Sequence, residues 1–166
     1  QQSSDKSTYE VINPANEEVL GHASKATPTD VDKALKSAEK GLIVWKKTPP
    51  WQRSYILRRI ADMIREKQDV LAKWMTLETG KPLAEGKGEV GASADIFEWN
   101  AEETKRIYGQ TVESRFEDTR VHVYYQPVGV VAALSPWNFP LTLSSRKIST
   151  ALAAGCSVII KPDTIT

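Results

Sequence analysis

Cysteine is almost absent from this chain: Cys156 is the sole one in 166 residues, which excludes an internal disulfide framework. Histidine is nearly as scarce, with two residues, so a structural zinc site would lack ligands and no metal is expected. Neither charge sign dominates, at 22 Lys+Arg against 21 Asp+Glu, and this removes the usual electrostatic motive for a nucleic-acid or membrane partner. No apolar run approaches transmembrane length. The opening Gln1-Gln2-Ser3-Ser4-Asp5 has no basic-then-apolar leader pattern, and the missing Met reads as trimming or a cut boundary. These absences make a reducing, cytoplasmic setting the expectation. No internal repeat or low-complexity tract is present, and 40% apolar residues suit one globular domain of ordinary size.

What is there begins as helix. Tyr9 to Ile12 and Glu18 to Ala23 read as strands joined by the Asn13-Pro14-Ala15-Asn16 turn. Thr27-Pro28-Thr29-Asp30 then opens a helix, with Thr27 as cap, Pro28 at the first helical position and Asp30 completing a capping box. Its apolar stripe is Val31, Ala34, Leu35, Ala38, Leu42 and Trp45. Pro49-Pro50 starts a second helix with Ile56, Leu57, Ile60, Met63 and Ile64 expected inward. A third runs from about Val70 to a stop at Gly80, and Pro82 begins a fourth with Val90, Ala94, Phe97 and Ala101 on one face, ending near Tyr108-Gly109. The stripes are expected to form the core.

After Gly109 the texture changes. Thr119 to Tyr125 alternates as a strand does, and Pro127 interrupts it before the apolar run Val128 to Leu134. The turn Pro136-Trp137-Asn138-Phe139-Pro140 follows, then a helix rich in small residues (Ser144, Ser145, Ala151, Ala153, Ala154) suited to packing on a sheet. Gly155 ends the helix, and a second apolar run spans Ser157 to Ile160. That is a strand, a crossover helix and a parallel strand, with no glycine triplet in the turn where nucleotide-binding units keep one. The turn instead offers an amide, Asn138, able to donate a hydrogen bond at the carboxyl end of a strand, where open α/β sheets place ligands. Two parallel strands with one crossover leave an edge unpaired. The chain is therefore expected to be the opening third or so of a larger protein, unless a partner chain covers that edge.

An ordered set of short motifs carries a resemblance. It comprises Ile12-Asn13-Pro14, Trp45 followed by Arg53, Glu78-Thr79-Gly80-Lys81-Pro82, Glu98-Trp99, Ala101-Glu102-Glu103, Arg106-Ile107-Tyr108-Gly109 and Gln126-Pro127-Val128-Gly129-Val130. It ends with Pro136 to Pro140, Ala151-Leu152-Ala153-Ala154-Gly155-Cys156 and Ile160-Lys161-Pro162. Together they resemble the N-terminal part of an NAD(P)-dependent aldehyde dehydrogenase, nearest the succinate-semialdehyde branch. The resemblance implies an α/β fold: a helical first half, a β-arm, then the first βαβ unit of a Rossmann-like cofactor domain. It divides the chain into 1–118, the start of the cofactor-binding domain, 119–131, an oligomerisation arm containing the strand pair around His122 to Val130, and 132–166, the opening of the βαβ unit. A homo-oligomer, dimer or tetramer, is the implied assembly of the full-length protein.

In that family a cysteine thiolate attacks an aldehyde, hydride passes to nicotinamide, and a glutamate activates the water that hydrolyses the thioester. The resemblance gives this chain one part of that machinery, Asn138 as donor to the oxyanion; the alternative is that Asn138 only holds its own turn. Cys156, at the start of a buried strand and outside a Gly-Gln-x-Cys setting, is expected to be a small buried hydrophobe. Leu134, Ser135, Pro136 and Trp137 are implied to line the nicotinamide side of the cleft, and Lys161 to bond the adenosine ribose. Read in isolation, an exposed strand-end lysine is the alternative for Lys161. NAD-preferring members carry glutamate where this chain has Thr164, so NADP is expected to be tolerated or preferred, with NAD the other candidate and Asp163 a possible substitute charge. Arg146 is implied to hold the far carboxylate of a semialdehyde, bidentate pairing being the physical reason, with Phe139 and Trp99 walling the same channel and core packing an equal alternative for Trp99. A surface arginine beside Lys147 is the bland alternative. With no nucleophile and no base, the isolated chain is expected to be inactive. A natural, non-catalytic assembly module of the same family is the rival reading.

Overall fold

The computed structural model describes residues 2–165. Strands β1 (Thr8–Ile12) and β2 (Val19–Ser24) form an antiparallel hairpin. Asn13 tightens its turn, its Oδ1 accepting from the Ala15 amide at 2.9 Å. Helix α1 (Pro28–Trp45) begins as its sequence dictates. Thr27 Oγ1 accepts from the Asp30 amide at 3.3 Å, and the Asp30 carboxylate accepts from the Thr27 amide at 3.0 Å. The same carboxylate takes the Ser4 amide at 3.1 Å, stapling the N-terminal segment to the helix. Backbone donors from Thr27 and Ser4 hold the Asp30 carboxyl well below the usual carboxylate range.

Helices α2 (Pro50–Glu66), α3 (Gln68–Thr79) and α4 (Leu83–Glu103) follow, and α4 is the hub, packing against α2, α3 and the later crossover helix. Gly80 ends α3 in the left-handed conformation, φ 74°, as a glycine at that cap allows. Leu57, Ala61, Ala94, Phe97, Ala101 and Ala153 form one buried cluster, and Ala72, Met75 and Val90 a second. The expected stripe of α4 is thus core in full. That of α2 is so only in part, because Met63 faces solvent. No residue of α1 is buried; Ala34, Ala38, Leu42 and Trp45 are half-covered where α1 packs on two later strands, while Val31 and Leu35 stay exposed. Gly86, Gly88 and Gly91 have the spacing of a dinucleotide-binding turn but lie inside α4, where a side chain on Gly86 would meet the Ala72 carbonyl oxygen at 3.0 Å.

After a 3₁₀ turn at Thr104–Arg106, β3 (Gln110–Glu113) pairs antiparallel with β4 (Arg120–Val123), all eight positions being exposed. This corrects the expected strand pair around His122 to Val130: β4 pairs backwards with β3, whose polar four-residue sequence gives no strand signal of its own. Strand β5 (Val130–Leu134), helix α5 (Pro140–Ala153) and β6 (Ser157–Lys161) form the expected βαβ unit, with β5 and β6 parallel and Val130 opposite Ser157. The small residues of α5 serve mostly its contact with α4, where Ser149 Oγ accepts from Asn100 Nδ2 at 3.0 Å.

Gly155 sits in a left-handed turn, φ 87°, between α5 and β6. A Cβ there would lie 2.9 Å from Pro127 Cγ and 3.5 Å from Arg53 Nη1. Arg53 is buried, donating from Nη1 to the Thr48 carbonyl at 2.7 Å, so it has little room to yield. Gly155→Ala is expected to destabilise the fold by about 2–4 kcal/mol, combining left-handed strain with overpacking. Thermal denaturation of the variant beside the parent protein measures it, and an unchanged Tm would contradict this account of the turn.

Candidate functional site

The carboxyl ends of β5 and β6 lie side by side, the Ser135 amide donating to the Lys161 carbonyl at 3.1 Å. Around this edge Leu134, Pro136, Trp137, Asn138 and Phe139 are exposed. The Asn138 carboxamide makes no hydrogen bond among the described residues, so its donor is free toward solvent at the end of the strand. Ser135 is the buried exception: its hydroxyl has no hydrogen-bond partner among the described residues. That hydroxyl is enclosed and faces no ligand, but the exposed side chains of Leu134, Pro136 and Trp137 beside the free Asn138 amide offer an apolar surface and a donor along this edge, and on that observation the residues present suit the nicotinamide end of a dinucleotide.

The turn is held from below. Lys81, just after α3, donates from Nζ to the Asn138 backbone carbonyl at 3.1 Å and lies 4.5 Å over the Phe139 ring. Its ammonium pairs with Glu89 of α4, and the two side chains are 11% and 1% exposed. Glu89 uses its other oxygen, Oε1, to accept the backbone amides of Leu141 and Thr142 at 3.0 and 3.1 Å. Helix α5 has no capping side chain of its own, so a carboxylate from another helix satisfies its first free donors and its positive end. Ser93 secures the platform, donating to the Glu89 carbonyl at 2.7 Å and standing 3.2 Å from Thr142 Oγ1.

This arrangement limits the chemistry. In nucleotide-binding βαβ units the helix N-terminus after the first strand receives phosphate. Here Glu89 fills that position, and a phosphate would meet a fixed negative charge. The first amides of α5 are thus taken by Glu89, and the exposed Asn138 carboxamide is the free donor at the turn.

Other expected residues are distributed differently. Arg146 and Trp99 do share a groove between α4 and α5, a cavity of about 370 Å³ lined also by Asp95, Ile96, Asn100 and Thr150. Phe139 does not line it and lies at the turn, its ring against the Lys81 ammonium. Thr164 and Lys161 are exposed, and the Lys161 ammonium turns to the Pro162 carbonyl. Asp163 accepts from the Ile165 amide at 3.2 Å, a local turn contact. Cys156 is buried, at 3% exposure, as a packed strand-start cysteine should be.

Sequence reasoning missed Lys81 and Glu89. Lys81 was visible only as one letter of a motif, without a role. Glu89 did leave a signal: a carboxylate set among Gly86, Val90, Ser93 and Ala94 on the buried face of α4 has to be paired or capped.

Comparison with known proteins gives the family and the fold. The model of the aldehyde dehydrogenase family matches residues 1–166. The chain is 46% identical over 155 residues to a glutarate-semialdehyde dehydrogenase of Pseudomonas putida, covering 93% of this chain and 32% of the relative. It is 46% identical over 153 residues to an Escherichia coli succinate-semialdehyde dehydrogenase [NADP(+)], covering 92% of this chain and 32% of the relative. Among solved structures, an NADP-dependent enzyme of E. coli superposes with a TM-score of 0.99 at 43% identity, covering 100% of this chain and 34% of that one. The chain thus spans about a third of the length of the proteins it matches.

Proposed function

The chain belongs to the aldehyde dehydrogenase family, and we propose that it forms the N-terminal part of an enzyme oxidising a semialdehyde to the acid with NADP or NAD. The observation that carries the reading is the free Asn138 carboxamide on a braced turn at the end of β5. When an aldehyde carbonyl is attacked, its oxygen gains negative charge, and a preorganised amide donor stabilises that charge more than it does the neutral carbonyl. Bound nicotinamide supplies the hydride acceptor. Leu134, Ser135, Pro136 and Trp137 would hold it along the strand edge, largely through backbone groups, with Lys161 and Thr164 at the ribose. With threonine at 164, and with Asp163 turned onto the Ile165 amide, no carboxylate is committed to the ribose, which favours acceptance of NADP.

Arg146 gives the substrate class. An exposed guanidinium in an open groove, with Trp99 as an apolar wall, suits an aldehyde carrying a second, anionic end. The relatives named for succinate and glutarate semialdehydes point to the same class. The nucleophile and the water-activating base are proposed to lie in sequence outside these residues, and β3–β4 to serve subunit contacts in the assembled protein.

The test is intact mass of the purified natural protein, then cofactor reduction with succinate semialdehyde, glutarate semialdehyde and an apolar aldehyde of equal length. We expect a mass well above that of 166 residues and a preference for the two anionic aldehydes that Arg146→Leu reduces by about 10- to 100-fold, the loss of one charged contact. A protein of this length alone, with no aldehyde-dependent reduction, would favour the non-catalytic assembly module instead.

A further inference from the structure

Glu89 and Lys81 make one connected device. Its members come from α4 and from the segment after α3, and it ends on the backbone oxygen of Asn138. Net stability does not explain it, because a buried ion pair is commonly no better than apolar residues of the same volume. What it supplies is fixed geometry. A backbone carbonyl held in one direction orients the whole planar peptide unit, Cα included, and so restricts where that residue's side chain leaves the chain. Glu89 holds Lys81 on one side while its second oxygen grips the first amides of α5 on the other, so both ends of the Asn138–Thr142 stretch are tied to one buried carboxylate. The Phe139 ring packed against the ammonium closes the remaining direction.

We propose that Lys81, anchored by Glu89, is a positioning residue that aims the Asn138 carboxamide. The proposal rests on the reading of Asn138 as oxyanion donor given above. Lys81 touches no reacting atom; it acts through the turn.

Two measurements on the full-length protein test it. In steady-state kinetics, Lys81→Met should lower kcat by about 10- to 100-fold, the scale of a misplaced catalytic group. KM for aldehyde and affinity for cofactor should stay within about threefold, and Lys81→Arg should recover most of the loss. The double variant Lys81→Met/Asn138→Ala should be little worse than Asn138→Ala alone, since a residue acting through Asn138 has nothing to act on once the amide is gone. A merely structural lysine would instead give losses that multiply, and that result, or a kcat within twofold of the parent, overturns the proposal. Hydrogen exchange reads the device without turnover: the Leu141 and Thr142 amides, held by the carboxylate that pairs with Lys81, should exchange at least about tenfold faster in Lys81→Met while α4 is unchanged. Unchanged exchange there also overturns it. If Lys81→Met does not fold, Glu89→Gln takes its place, because it can keep the two amide contacts and removes only the charge that anchors Lys81. Should Asn138→Ala turn over normally, the oxyanion reading fails, and exchange alone decides whether Lys81 holds the turn.

Discussion

Asn138→Ala in the full-length protein is expected to cut kcat by roughly 100- to 1000-fold, about 2.7–4 kcal/mol of transition-state stabilisation. KM should move little. The neutral carbonyl gains little from the amide, so the interaction removed is one made chiefly as charge develops. Structural damage is an implausible source of such a loss, because the side chain is exposed and makes no hydrogen bond among the described residues. The variant should therefore match the parent in Tm and in cofactor binding. Steady-state kinetics with a semialdehyde, beside a calorimetric scan, checks both halves. A loss confined to KM would make Asn138 a ground-state contact, and parent-like kinetics would remove it from the chemistry.

Glu89→Ala should cost stability on a similar scale, about 3–5 kcal/mol. Three groups lose their partner together: the Lys81 ammonium, itself only 11% exposed, and the Leu141 and Thr142 amides. The expected readout is a clear fall in Tm relative to the parent protein. Glu89→Gln should cost clearly less, since an amide oxygen can still accept from the two backbone donors. Thermal unfolding of the pair separates capping from charge: equal losses would mean that the ion pair, and not the cap, is what Glu89 contributes.

Most of the architecture was legible because its signals are local. Thr27 and Asp30 announce α1, Gly80 ends α3, and Val90, Ala94, Phe97 and Ala101 recur at helical spacing because that face is buried. The βαβ unit followed from two apolar runs around a helix. Legibility failed where the deciding contact is distant or missing. Val31, Leu35 and Met63 have the right periodicity yet stay exposed among the described residues, and a stripe cannot say whether a partner exists. Gln110–Glu113 is a strand only because Arg120–Val123 pairs with it. At the site, the exposed residues of the turn could be read from one motif, whereas the lysine and glutamate beneath it join segments some fifty residues apart. No window of sequence contains that contact.

One further bond has a spectroscopic consequence. The Trp45 indole donates to the Leu152 carbonyl at 2.8 Å, tying the end of α1 to the last turn of α5. Of the five tryptophans, Trp51, Trp74, Trp99 and Trp137 face solvent and Trp45 alone is half-covered. Its emission should be the bluest and the least quenched by iodide, so a red shift preceding global melting would report α1 peeling away while the helical hub stays intact.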